Sequence, residues 1–267
     1  MGRFDHLEMG DWRPELPDEE PVEEGLIDQN YYLDKACRAF ADEDYERALT
    51  YYSRALQYDI NLEEAWLGQL RCLIELQELQ EAIIWSDRAL ERFPKSAQIL
   101  AARGVAEARL GRIIAAMGYS DAAFASTQKS TAYMWVARGE VLIPANIGNA
   151  KACFSKAIEM SPEDWAIRAW IARAYLIHRC HYQALEHLRQ AVRFEPERVI
   201  CWYWIGKCCE MLGEIQEAKR AYGRAIAVQP SFSRARDALR QLGRRGLAAK
   251  IADAFKRLFG RRQVSEG

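Results

Sequence analysis

The chain has 267 residues, half of them hydrophobic, and a formal net charge of −1. That length and apolar content suffice for a large buried core, and the charge argues against bulk nucleic-acid binding by the chain as a whole. No apolar run reaches the length of a membrane span, no charged–apolar–small export signal opens the chain, and the seven cysteines, an odd number, point to a reducing, cytoplasmic compartment.

The near-zero total hides two charged ends. Residues 1–28 hold ten acids and two arginines, net −8. His6 stands where an acylation motif beginning at Gly2 needs Ser or Thr, so no lipid is expected there. Pro14, Pro17 and Pro21 flank the run Asp18, Glu19, Glu20, a composition that cannot bury enough surface to fold alone and predicts a disordered tail. Phe4, Leu7, Met9 and Trp12 interrupt it. Two readings stand: a solvating tail, or a short acidic-aromatic docking motif anchored by Trp12.

From residue 29 onward a 34-residue period takes over. Ala48, Ala82, Ala116, Ala150, Ala184 and Ala218 recur without a slip, and Ala55, Ala89, Ala123, Ala157, Ala191 and Ala225 follow seven residues behind. Such a period means stacked copies of one small unit rather than one globular core. The copies run 29–62, 63–96, 97–130, 131–164, 165–198 and 199–232. Each is expected to hold two antiparallel helices that approach closely across the small alanines. Pro94, Pro162, Pro196 and Pro230 stop the second helix of their copies, with Ile60 and Gln128 replacing proline in the first and third. Tyr52, Phe154, Leu188 and Tyr222 lie between the alanines, Trp66 and Trp202 open their copies, and Gly111 and Gly213 mark the middle turn.

Two copies depart from the pattern. The third has Ser120 where a large residue is expected and an Ala/Gly-rich second helix, so a neighbour could pack closer there or the array could bend. In the fourth, Trp135 and Gly139 stand one place late, and Pro144 and Gly148 punctuate the turn. This predicts a longer loop before Trp135, a compensating shorter turn, and a hinge, if there is one, near residues 126–134. After the last copy, 233–246 reads as a capping helix over an otherwise apolar end. In 247–267, Leu247, Ile251, Phe255, Leu258 and Phe259 recur at helical spacing, with Lys250, Lys256, Arg257, Arg261 and Arg262 outside that stripe. Residues 233–262 carry ten basic side chains and two acids, net +8.

Together these features resemble the tetratricopeptide repeat over residues 29–232. The resemblance implies an all-α fold, a right-handed α-solenoid of six helix-turn-helix repeats, here followed by a capping helix and an extra basic amphipathic helix. It also implies protein–protein recognition by a scaffold or adaptor without enzymatic activity. In this family the concave groove is lined by the first helix of each copy. Carried over by repeat position, the groove residues are Leu33, Cys37, Phe40, Leu67, Arg71, Ile74, Ala101, Val105, Ala108, Arg109, Ala169, Arg173, Leu176, Tyr203, Lys207 and Met211. Arg71, Arg173 and Lys207 share one repeat position. As a basic ladder they would suit a peptide or helix carrying acids and apolar anchors; the other reading is that they are solvated or paired with Glu64, Glu75 and Glu210. The Lys/Asn/Arg clamp with which some members hold chaperone tails is missing, because its positions hold Leu33, Cys37, Gly68, Gln98 and Ala102.

Other chemistry is not legible. His178, Cys180, His181 and His187 match no common zinc spacing, no nucleophile–base–orienter trio stands out, and no glycine-rich phosphate loop is present; no metal or cofactor is expected. The segment 247–262 is open to packing on a protein partner or on the array's own end, to an anionic membrane surface, and last to nucleic acid. The acidic tail could lie in the groove or bind the basic end of a second copy, giving a homo-oligomer.

Overall fold

The computed structural model describes residues 28–244. The acidic segment with Trp12, and the basic segment with Leu247, Lys250, Ile251, Phe255, Lys256, Arg257, Leu258 and Phe259, lie outside the described residues. Within them the elements are α1 (Gln29–Ala41), α2 (Tyr45–Tyr58), α3 (Glu63–Glu75), α4 (Leu79–Arg92), α5 (Ala97–Arg109), α6 (Ile113–Ala125), α7 (Ala132–Leu142), α8 (Ile147–Met160), α9 (Trp165–Ile177), α10 (His181–Phe194), α11 (Val199–Met211) and α12 (Ile215–Val228). Residues 233–244 are also helical, and no strand occurs among the described residues. The fold is an all-α helical repeat solenoid. The described residues divide into two compact units, one up to residue 174 and one from residue 175. The 126–134 junction expected to hinge falls inside the first.

The period works through close helix approach. All twelve recurring alanines are 0–1% exposed, because a methyl group is the largest side chain the paired helices admit at those contacts. The turn between the two helices of a copy uses one left-handed residue every 34: Glu43, Gln77, Gly111, Arg179 and Gly213, with φ between 58° and 79°. There the following N–H turns back to a first-helix carbonyl, Asp44 to Ala39 and Glu214 to Cys209, satisfying groups the helix end leaves open. Side-chain caps start several helices: Asp28 accepts from Tyr31 N, Asp44 from Arg47 N, Ser96 from Ile99 N, Thr131 from Met134 N. Between copies, the Trp66 indole donates to the Ile60 carbonyl and that of Trp202 to the Pro196 carbonyl, each at 2.8 Å. Arg168, at the same repeat position, donates to the Pro162 carbonyl at 2.8 Å.

The irregular copies depart in a definite way. The α6–α7 connection spans 126–131, against 93–96 between α4 and α5, so the loop before Trp135 is longer as expected. The expected shorter turn is corrected: the α7–α8 turn, 143–146, is longer than its equivalents and has no left-handed residue. Helix α7 shortens instead, to 11 residues against 13 for α5. In α6, Ala115, Gly118, Ala122 and Ala125 face solvent, so they draw no neighbour closer. The volume left by Ser86 and Ser120 is taken by arginines of the next first helix. Arg103 donates to Ser86 Oγ at 2.6 Å, to the Ile83 carbonyl at 2.8 Å and to Asp87 at 2.7 Å. Arg138 reaches Ser120 Oγ at 3.4 Å and Asp121 at 2.7 Å.

Glycine is required where an aromatic ring lies flat on a first helix. A Cβ on Gly206 would overlap the ring of Tyr222, and one on Gly139 that of Phe154, whereas Gly223 faces open space. Gly206→Ala is therefore expected to destabilise unit 2 by about 1–3 kcal/mol through overpacking. Gly223→Ala in the exposed middle of α12 should stabilise by about 0.5–1 kcal/mol. Urea denaturation of the two variants beside the parent checks both signs.

Candidate functional site

In unit 1 the first helices α1, α3, α5, α7 and the start of α9 each contribute to one inner face. Helices α1, α3, α5 and α7 pack in succession. This covers five residues expected in an open groove: Leu67, Ile74, Ala101, Val105 and Ala108 are buried. They are core rather than lining, because each first helix lays its neighbour-facing row against the next. Leu33 and Phe40 are half-buried and Cys37 is exposed.

The charged residues of this face are bound to one another. Glu75 closes α3, and Arg109 closes α5 at the same repeat position, one period on. Arg109 donates through Nη2 to Glu75 at 2.8 Å, through Nε to Glu140 at 2.7 Å and through Nη1 to the Ile74 carbonyl at 3.0 Å. Arg173 of α9 donates through Nε to the other Glu75 oxygen at 2.6 Å, across 98 residues of sequence. Side-chain exposure is 3% for Arg109, 8% for Glu140, 12% for Glu75 and 22% for Arg173. Burial by itself would raise the Glu75 pKa; the two arginines and their hydrogen bonds outweigh it and bring it down to about 2. For Arg109, burial opposes the charge, but Glu140 and Glu75 raise its pKa above the ordinary arginine value. The network ties α3, α5, α7 and α9 together and leaves Arg109 and Arg173 no free charge to offer.

Arg71 is held differently. Its guanidinium lies 4.5 Å from the ring centre of Phe40 on α1, 4.7 Å from that of Tyr133 on α7 and 4.3 Å from that of Trp170 on α9. Among the described residues it makes no ion pair and no hydrogen bond. Among the described residues, ring faces carry this charge. Burial pushes the hydroxyl of Tyr133 up to about 12, so that ring stays neutral.

The basic ladder expected from the shared position of Arg71, Arg173 and Lys207 is thus corrected. Arg173 is neutralised by Glu75, Arg71 is caged by rings, and Lys207 in unit 2 sits 3.4 Å from Glu210. In unit 2, Tyr203 packs on Tyr222 and Phe232, with Arg234 over its ring. Leu176 and Lys207 are half-exposed, and Met211 is 62% exposed. Tyr133, Glu140 and Trp170 were missed from sequence. Carrying the one-residue offset of Trp135 and Gly139 through α7 would have placed Glu140 in line with Arg71 and Arg173, and Tyr133 on the same face. The cleft at the third–fourth junction, about 590 Å³ and lined by Phe93, Lys95, Ser126, Lys129 and Met134 among others, holds none of these groups.

Glu75→Gln should destabilise the protein by about 3 kcal/mol at pH 7, since it removes the carboxylate that Arg109 and Arg173 share. A carboxyl depressed from 4.5 to about 2 stabilises the fold at pH values above its unfolded pKa. That contribution, about 3 kcal/mol, is lost as pH falls through the folded value. The stability gap between parent and Glu75→Gln should therefore shrink steadily from pH 5 to pH 2, as read by denaturant titrations across that range.

The tetratricopeptide repeat family model matches residues 33–97. A second model, anaphase-promoting complex, cyclosome, subunit 3, matches residues 145–225. Among curated proteins nothing matches. Solved structures share the fold: a tetratricopeptide repeat protein from Parabacteroides merdae (16% identity, 80% of this chain and 84% of that one, TM-score 0.51); IFIT1, a monomeric mutant with Gppp-AAAA (14%, 79% and 53%, TM-score 0.57); and the APC/C hetero-tetramer Cut9–Hcn1 (18%, 80% and 43%, TM-score 0.50). The chain spans under half of the matched Cut9–Hcn1 chain. Residues 33–97 thus carry tetratricopeptide repeats, and helical hairpins of the same 34-residue period run on to residue 228.

Proposed function

We propose that this protein is a non-enzymatic adaptor that holds a segment of a protein partner, a peptide or a helix, against the first-helix face of unit 2. The observation that carries this is the state of α11. Lys207 and Met211 lie one helical turn apart on one face. Met211, Leu212 and Ile215 remain 62%, 39% and 40% exposed at the following turn. A flexible thioether beside two branched aliphatics suits an apolar anchor. The Lys207–Glu210 pair, at 3.4 Å with side chains 34% and 12% exposed, is a loose i,i+3 contact worth about 0–1 kcal/mol, which a partner carboxylate can replace. Unit 1 supports the same assignment by contrast, because its arginines are already matched by Glu75, Glu140 and ring faces.

The double variant Lys207→Glu/Met211→Ser removes both anchors from exposed positions. It is expected to retain the parent's thermal midpoint and to lose, by tenfold or more, proteins that the parent retains from a cell extract, quantified by mass spectrometry. Full retention would move the partner contact off α11. Substituting Arg173 would be a poor substitute test, since it breaks the buried Glu75 network and its effect would mix folding with binding.

A further inference from the structure

Three aromatic rings from three different copies converge on one guanidinium in unit 1. The rings are held in place without it. Phe40 meets Tyr45 edge-on at 5.3 Å between centres, and Tyr133 meets Trp170 edge-on at 6.0 Å. The helices that carry Arg71, Tyr133 and Trp170 are also tied by the separate Glu75–Arg109–Glu140–Arg173 network. The cage therefore stands as a preformed site, and Arg71 is its present content rather than its scaffold. Arg71 is the weakest-tethered arginine of the face: Arg109 and Arg173 each make short charge-assisted bonds, whereas Arg71 has no carboxylate and no hydrogen bond among the described residues. The surroundings favour a cation. Glu64, two turns before Arg71 on α3, and Asp34 on α1 are both exposed, and both act on the same Cys37 thiol that Arg71 influences.

We propose that Phe40, Tyr133 and Trp170 form a binding site for the arginine side chain of a partner peptide, kept closed by the protein's own Arg71 as an intramolecular occupant. A partner arginine that takes the cage presents its flat faces to the rings and its edge toward Glu64 and Asp34, while Arg71 moves outward into solvent. The tethered occupant lowers the apparent affinity for any outside arginine by the fraction of time the cage is free. The inner face of unit 1 is then self-occupied at rest, a site distinct from the α11 face of unit 2.

The test uses the full chain with Arg71→Ala, which empties the cage. The probes are N-propylguanidinium, the excised side-chain end, and the peptide acetyl-Gly-Ser-Arg-Ser-Gly-amide beside its uncharged twin with citrulline in place of arginine. Binding is followed by the indole N–H resonance of Trp170, assigned by its loss in Trp170→Phe. The expected result is saturable shifts with both cationic probes in Arg71→Ala. Affinity for them should be at least tenfold weaker in the parent, and response to the citrulline peptide at least tenfold weaker still. Binding, read on the same Trp170 resonance, should fall at least tenfold in Arg71→Ala/Phe40→Ala. Absence of shifts in a folded Arg71→Ala chain overturns the proposal, as does equal affinity in the parent or equal response to citrulline. If Arg71→Ala loses its helical signal, Arg71→Gln, which keeps the aliphatic stem, takes its place under the same criteria. Loss of partner capture by the α11 variant is read independently, so either idea can fall alone.

Discussion

Close helix approach at the alanine contacts is the constraint on which the rest of this structure depends. Twelve methyl groups with essentially no exposure hold paired helices close along the array. Once that spacing is imposed, larger side chains lie against glycine, Phe154 on Gly139 and Tyr222 on Gly206 within a copy and Tyr52 on Gly68 across to the next, or go onto the exposed faces. The 34-residue recurrence of left-handed turns follows from the same demand, since a short connection must reverse the chain without opening the contact. Glu43, Gln77 and Arg179 take that conformation despite carrying a side chain, so tertiary packing outweighs a local cost of about 1–2 kcal/mol at each.

The fourth copy shows what happens when the local pattern slips. Its turn has no left-handed residue, its first helix is shorter, and the preceding loop is longer. The longer loop takes up the one-residue offset, so that Glu140 stands where Arg71 and Arg173 stand in their copies. Glu140 and Tyr133 thereby come to the inner face, where they meet Arg109 and Arg71. An irregularity in the repeat thus supplies two of the groups that organise the face.

Buried charge on that face is tolerated because it is shared. One carboxylate, Glu75, takes two guanidinium groups on separate oxygens, and Arg109 in turn spans two carboxylates and a backbone carbonyl. Such a cluster is no more stabilising than an apolar core of the same shape, yet it penalises any arrangement that leaves a member unpaired. Its consequence for function is that charge read from sequence as available for a partner is already committed. What stays uncommitted among the described residues is the exposed α11 corner, on which the proposed function rests, and Arg71, which meets ring faces and no carboxylate.

The helices, their pairing and their near-invariant spacing were legible in the sequence, because alanine at a 34-residue period has few meanings other than stacked helical hairpins. The proline stops, the turn glycines and the lengthened loop before Trp135 were legible for the same local reason. Which arginines were free was not. Glu75 and Arg173 stand 98 residues apart, and Arg71 meets rings from copies one, four and five. Such meetings depend on how far each copy turns on the last, a quantity built from many small packing displacements that no periodic pattern records. Burial of Leu67, Ile74 and Val105 has the same origin. Sequence by itself determined the repeat and its length. Only the tertiary structure decided which charges on the first-helix face neutralise each other, because Coulomb pairing and ring stacking act through space, over distances set by the cumulative rotation of the repeats.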